Sequence, residues 1–545
     1  MDDSKAIPLG GQTPLAAGGY EQELRRSITW KDAFWVASGV PALVLFSIGG
    51  IAVTVGTPSW LCWVLAVVFG FFQAFVYAEI AGLFPGKSGG ASVYGAAAWV
   101  RYSKLIAPLS LWSNWLAWTP VLTVGSAIAA GYILTLLFTP DSAIQQFKIT
   151  LLDLGMLKEG LEIRVNSVSI LATLLLLGTF AVQHRGILGT ARVQMVIGIV
   201  ALTPLLLIGI VPLFSGNVLA QNFLPFAPIA TDEAGNTITG SWDRQGWMLF
   251  LGGTYMAAWS AYAFETAVCY TREFRNPKTD TFKAIFWSGV LCLVAYSLVP
   301  IAFQGSLGVE GMTAPGIIDG SGVAAAMTGI IGGGPIIGNI LVVLMILALL
   351  LGVSTSMAGS SRTLYQGSVD GWLPKFLSHV NHHGAPTRAM WTDLLFNVLL
   401  LNLSDSLFVL AVSNICYLVF IYLNLHAGWI HRIDNAHVPR PYRCPDVLMG
   451  LGIVLAFVNA FILGAGANVW GAGTLTTGVV ALALILPVFW FRHYIIDKGK
   501  FPAHMLADLH MNDGLLAKPK AGALPYLALA AGVAIVFATN AFFHW

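Results

Sequence analysis

The stretch LFLGGTYMAAWSAYAFETAVC, Leu249–Cys269, reads as an apolar helix interrupted by one carboxylate, Glu265. A hydrocarbon core about 30 Å thick is crossed by about 20 apolar residues in helical form. A charge near the centre of such a helix costs roughly 2.5–3.5 kcal/mol or more, so it normally faces a bundle interior, a water-filled cavity or a partner. We therefore read Glu265 as the centre of a binding site rather than as a structural residue.

The rest of the chain supports a membrane setting. Of 545 residues, 57% are hydrophobic and only 10% charged, against about 25% charged in a soluble domain. Mean hydropathy is positive. Too few charges remain to cover a water-facing surface, so the expected fold class is an all-α polytopic membrane protein. The five cysteines (Cys62, Cys269, Cys292, Cys416 and Cys444) are scattered and show no metal-ligand spacing or disulfide framework. His382-His383 has no spaced partner. Gly332–Gly334 is not followed by the Lys-Ser/Thr of a phosphate loop. There is no Ser-His-Asp or HExxH pattern and no long basic tract, so neither an enzyme nor a nucleic-acid partner is expected. No cofactor is expected either; a proton is the favoured coupling ion, ahead of sodium.

Outward from Glu265, apolar runs lie near residues 32–56, 58–84, 105–137, 166–183, 191–214, 247–270, 283–304, 335–365, 388–403, 406–430, 446–468, 472–494 and 523–543. Thirteen spans are expected, the ninth short. Residues 1–31, polar and rich in Gly and Pro, read as a cytoplasmic tail without a signal-peptide core. Spans 1–5 occupy 32–214, spans 6–10 occupy 247–430, and spans 11 and 12 occupy 446–494. A cytoplasmic loop, 495–522, precedes the thirteenth span at 523–543. With the N-terminus inside, the outer loops carry Lys148, Lys158, Arg164 and Arg244, while the other 24 of the 28 basic residues fall inside. That asymmetry follows the positive-inside rule.

Span 1, FWVASGVPALVLFSIGGIAVTVG (Phe34–Gly56), contains Gly39, Pro41, Gly49, Gly50 and Gly56. Glycine and proline weaken a helix interior, and unwinding is expected at Ser47-Ile48-Gly49-Gly50. Close helix packing through small residues is an equal alternative. Spans 1 and 6 each begin a group of five. Five is odd, so the two groups would have opposite orientations. Interrupted segments at matching places in two inverted halves point to a transporter binding site. Backbone N–H groups of Ser47, Ile48, Gly49 and Gly50 would then meet a carboxylate, and carbonyls of Ser260, Ala261, Tyr262 and Ala263 an ammonium, with Tyr262 shaping the pocket.

Other residues carry competing readings. Trp112, Trp115 and Trp118 share one face of span 3. The first two read as packing, while Trp118 is deeper and a candidate for cation–π contact with substrate. Ser354-Thr355-Ser356 in span 8 offers hydroxyls to the substrate, Ser356 among them, or to sodium, or back to its own helix. Glu79 is expected to form a structural ion pair with Lys87 or Arg101, and Asp393 to be a satisfied interfacial charge near Arg388.

Four segments resemble the amino acid–polyamine–organocation superfamily of transporters. They are LRRSITWKD (Leu24–Asp32), YAEIAGLFPGKSGGASVYGAAAW (Tyr77–Trp99), WSAYAFETAVCYTREFRNPKTD (Trp259–Asp280) and SSRTLYQGSVDGWLPKFLSHVNHHGAPTRA (Ser360–Ala389). The resemblance covers about residues 24–494. It implies a five-plus-five inverted-repeat fold of the leucine-transporter type, twelve core helices and a cytoplasmic N-terminus, the thirteenth span being an addition. The AWSAYAFE stretch is similar to the arginine/agmatine-antiporter branch, which implies Trp259 as an outer gate. Ala263 stands where the family often has Gly, and Ala201 near the place where some proton-coupled relatives carry a lysine. The expected function is secondary active transport of an amino acid or related amine across an inner or plasma membrane, by exchange or proton coupling, with Glu265 binding the proton or holding the inner gate. A non-transporting amino-acid sensor of the same fold and a sodium-coupled transporter of another organic cation are the rivals.

Overall fold

Hydrophobic runs of this length fold as helices because lipid satisfies no backbone polar group. The computed structural model describes Leu24 and residues 26–544, apart from 157–158, 232–236, 315, 319, 321, 333 and 509–518. The expected tail 1–31 and loop 495–522 lie partly outside the described residues. Lys158 and the side chain of Ala201 lie outside them as well.

A helix stands at each of the thirteen expected places: α1 (Trp30–Val55, in pieces), α2 (Ser59–Leu83), α3 (Ile106–Leu137), α4 (Ser167–Gln183), α5 (Ile187–Ser215), α6 (Arg244–Ala261), α7 (Pro277–Met312), α8 (Gly334–Val369), α9 (Thr387–Leu400), α10 (Ser406–Asp434), α11 (Asp446–Gly466), α12 (Thr474–Ile496) and α13 (Leu524–His544). Among the described residues, ten helices are long and apolar enough to cross a membrane. The other three expected spans are shorter or broken: α4 has 17 residues, α9 has 14, and α6 stops at Ala261 and continues as a 3-10 helix, Ala263–Glu273. The protein is thus an all-α multi-pass membrane protein. Two antiparallel hairpins sit between helices: β1 (Lys148–Asp153) with β2 (Glu162–Asn166), and β3 (Ile229–Thr231) with β4 (Thr237–Thr239). Helix α13 docks on α11, where a Cβ at Gly464 would collide with Thr539 and Val536.

The break in α1 lies earlier than the sequence led us to expect. An α-helix runs from Trp30 to Ala37, a 3-10 helix from Val40 to Phe46, and a second α-helix from Ile48 to Val55. Ile48, Gly49 and Gly50 therefore form a first helical turn, and of the expected unwound quartet only Ser47 is outside regular helix. The cause is local. Pro41 brings no N–H to the helix ladder, and Gly39 lets the chain approach α8 so closely that a Cβ would run into the backbone of Leu351 and Gly352. Gly49 serves packing instead, with the carbonyl of Ile317 against it.

The α6 break forms without glycine at 263. A 3-10 segment of eleven residues is long for that geometry, and tertiary bonds hold it. Trp259 Nε1 donates to the Ala117 carbonyl at 3.1 Å, Ser260 Oγ to the Leu43 carbonyl at 3.2 Å, and Tyr94 OH to the Val268 carbonyl at 3.2 Å. The two breaks meet directly: the Phe46 and Trp259 rings are 6.0 Å apart.

Charges at the helix ends are paired, with partners that correct the sequence reading. Glu79 is held by Arg432 (2.6 Å) and Arg440 (3.0 Å), and it accepts the Cys444 N–H at 2.8 Å. Arg432 and Arg440 are 350 or more positions away in sequence, whereas Lys87 and Arg101, the expected partners, are close in sequence. Lys87 binds Asp370 at 2.9 Å instead, both buried. Arg362 and Glu273 form a second buried pair.

Candidate functional site

Glu265 lies in the first turn of the 3-10 segment that follows α6 and is 1% exposed. Its Oε1 accepts from Trp118 Nε1 at 2.9 Å and from Asn114 Nδ2 at 3.3 Å, both on α3. Its Oε2 is buried and has no hydrogen-bond partner among the described residues. Leaving a carboxylate oxygen desolvated and unbonded is costly, which singles this oxygen out among the buried polar atoms. A Cβ at Gly90 would stand 3.7 Å from it, which places the loop after α2 beside the site.

Buried polar atoms without partners gather around Glu265. They include Tyr77 OH on α2 and Tyr417 OH on α10. Tyr77 and Tyr417 are near enough to Glu265 to interact electrostatically with it. The Tyr417 ring lies 6.5 Å from that of Trp118 and 6.3 Å from that of Tyr262. Tyr262 OH donates to Asn459 Oδ1 at 2.9 Å, which ties it to α11. Sequence reasoning missed Tyr77, Asn114 and Tyr417. Tyr77 opens a quoted family segment, but polar residues on an apolar helix carry no mark of which way they point.

Ser47 is buried, and its Oγ has no partner among the described residues. It precedes the helical turn Ile48–Gly50, whose N–H groups have no acceptor one turn earlier in the helix. Gly50 faces Leu407 and Trp470. Ala261 and Ala263 are fully buried at the break between α6 and its 3-10 continuation.

Trp118 bonds Glu265, while Trp259 and Ser260 bond the Ala117 and Leu43 carbonyls beside the break, and Ser356 is already engaged. Its Oγ donates to the Trp118 carbonyl at 2.8 Å, so it supports the residue that binds Glu265. Thr355 Oγ1 donates to the Val36 carbonyl at 2.6 Å, and Gln183 holds Ser354. The triplet therefore bonds mainly between helices rather than presenting a free oxygen set. Among the described residues there is no cluster of His, Cys, Asp and Glu suited to a metal ion. Asp393 differs from its expected state: it is fully buried, and Trp115 Nε1 (2.9 Å), Thr119 Oγ1 (2.9 Å) and Ser360 Oγ donate to it, with no pairing to Arg388. Trp115 thereby gains a polar role beyond packing. Trp112 Nε1 donates to the Ala481 carbonyl at 2.9 Å.

Comparison with known proteins agrees with this architecture. A family model described as amino acid permease matches residues 28–490. An uncharacterized transporter of Legionella pneumophila is 26% identical over 215 residues, which is 37% of this chain and 45% of that protein. A branched-chain amino acid permease of Bacillus subtilis is 26% identical over 224 residues, 39% of this chain and 46% of that protein. A polyamine transporter of Oryza sativa subsp. japonica is 23% identical over 459 residues, 83% of this chain and 74% of that protein. The chain thus spans less than half the length of the first two relatives in alignment, and about three quarters of the third.

Proposed function

This chain belongs to the amino acid permease family, within the amino acid–polyamine–organocation superfamily, and from that premise we propose that it is a secondary active transporter that moves an amino acid or related amine by alternating access. The observation that carries the reading is the buried, unpartnered Oε2 of Glu265 beside the point where two helix breaks meet. Half-helix ends at such a crossing offer partial charges of both signs. The Ser47 hydroxyl and the N–H groups of Ile48–Gly50 would take a substrate carboxylate. The carbonyl end of α6, at Ser260–Ala263, would take an ammonium. Trp259, packed on Phe46, would close one side. Among the described residues no Lys or Arg bonds to Glu265, which favours a zwitterionic or cationic substrate over an acidic one. The names of the relatives span both kinds, a branched-chain amino acid permease and a polyamine transporter.

Glu265 is the proposed proton carrier. A proton held on Glu265 would be displaced by the positive charge of an arriving ammonium. Substrate binding would then release a proton. The same reading places α1–α5 and α6–α10 as two inverted repeats, with α11 and α12 completing twelve core helices and α13 as an addition. It puts the N-terminus on the cytoplasmic side of an inner or plasma membrane.

The test is ligand-induced thermal stabilisation of the purified protein across amino acids, amines and polyamines, at about pH 5.5 and about pH 7.5. A ligand that binds only the folded state raises the unfolding free energy by RT ln(1 + [L]/Kd). The expected result is a hit among these classes whose pH sensitivity disappears in Glu265→Gln. A well-folded sample that responds to none of them would contradict the substrate assignment.

A further inference from the structure

A second site lies away from Glu265, where α12 ends. The helix finishes in a π-helical turn, Phe491–Ile496, a geometry that is rare and frequent at functional sites. Two residues on, Lys498 adopts φ +52°, a left-handed conformation uncommon for a residue with a Cβ. The chain folds back so that Lys498 and Lys500 join Arg492 and, from the loop after α8, Lys375 around a surface cavity of about 470 Å³. We propose that this cavity binds the phosphate headgroup of an anionic phospholipid.

The charge balance selects an anion. Asp497, which also lines the cavity, is occupied: Lys375 binds one oxygen at 2.9 Å and Arg492 the other at 2.5 Å. Arg492 also donates to the carbonyls of Ser368 and Leu373. Lys498 and Lys500 are exposed and have no side-chain partner among the described residues. Lys104 adds a further positive charge close by, 5.3 Å above the Phe501 ring.

The depth selects a lipid over a free ion. The apolar run of α12 ends at Ile496, one residue before the cavity's carboxylate. The same final turns expose Trp490 (56%), Phe491 (52%) and Tyr494 (49%), and Phe376 beside Lys375 is half exposed. Exposed aromatic rings next to basic residues mark the headgroup level of a bilayer. A phospholipid would use both features, its phosphate on Lys498 and Lys500 and its acyl chains along the aromatic face. A free phosphate would use only the first.

The full-length protein in neutral detergent is titrated separately with phosphatidylglycerol, phosphatidylcholine and inorganic phosphate, with bound lipid read by native mass spectrometry and melting temperature by a thermal assay. Phosphatidylglycerol is expected to bind and raise the melting temperature, and the other two are not. The double variant Lys498→Gln/Lys500→Gln is expected to lose on the order of tenfold in phosphatidylglycerol affinity, with an unchanged melting temperature in phosphatidylcholine. The single variants give the same reading with smaller losses should the double variant fold poorly. Equal phosphatidylglycerol binding by wild type and variants overturns the proposal, as does an equal response to phosphatidylcholine. A response to inorganic phosphate that matches phosphatidylglycerol also overturns it, by assigning the cavity to a free anion.

Discussion

Two side chains in the Glu265 cluster separate binding from folding. Trp118 Nε1 donates to Glu265 Oε1 at 2.9 Å, so Trp118→Phe removes a hydrogen bond to an acidic group while keeping an aromatic ring. A loss of roughly 1.5–3 kcal/mol in unfolding free energy is expected, measurable by denaturant or thermal unfolding in detergent. Tyr417 OH is buried and has no partner among the described residues, so Tyr417→Phe should leave stability unchanged or raise it by up to roughly 1–3 kcal/mol. If that hydroxyl serves the substrate, the same variant should weaken ligand binding severalfold in a direct titration. Glu265 was legible in the sequence because a carboxylate in an apolar helix is expensive wherever it lies. Tyr77 was not, because its significance is the lack of a partner, which only the packed structure reveals. Asp393 misled for a related reason: Trp115, Thr119 and Ser360 satisfy it from two other helices, and no spacing along span 9 records that.

The broken helices show where local rules yield to packing. Span 1 was recognisable as interrupted, yet Gly49-Gly50, its most glycine-rich step, is helical, and the break centres on the run behind Gly39 and Pro41. Glycine there answers a need for contact rather than for unwinding. Gly39→Ala and Gly49→Ala each place a Cβ against backbone, of Leu351 and of Ile317. Each is expected to cost about 1–3 kcal/mol, read as a lowered melting temperature. Gly50→Ala meets the flexible end of Leu407 at 3.2 Å and the Trp470 ring at an ordinary 3.5 Å, and should be milder. In the loop just after α8, burial pushes the Asp370 carboxyl up, but the Lys87 charge and His504 outweigh it and hold it below the usual carboxylate range. A depressed value means that the pair stabilises the fold fully above the unfolded value of about 3.9 and loses that contribution as pH falls through the folded value. Asp370→Asn should therefore cost roughly 3–5 kcal/mol at neutral pH. The gap from wild type should narrow below about pH 4, as pH-dependent unfolding would show.

At the scale of the whole molecule, the sequence revealed its membrane setting through composition and its family through four segments, and the helices fall where the apolar runs predict. It did not reveal which distant helix ends pair. Glu79 with Arg432 and Arg440, across more than 350 positions, is the clearest case. Orientation is open to a direct test, because all five native cysteines are buried. A single cysteine placed at Lys148 should react with an impermeant maleimide on intact cells, and one at Lys498 should not. The reverse pattern would invert the proposed topology. The central claim is that Glu265 couples a proton to substrate movement. Its most direct test is uptake into proteoliposomes, with an imposed pH gradient, of the ligand that stabilises the protein. The account predicts net flux that responds to the gradient in wild type, and in Glu265→Gln a reduced flux that no longer responds. Equal flux and equal pH dependence in the two proteins would contradict it.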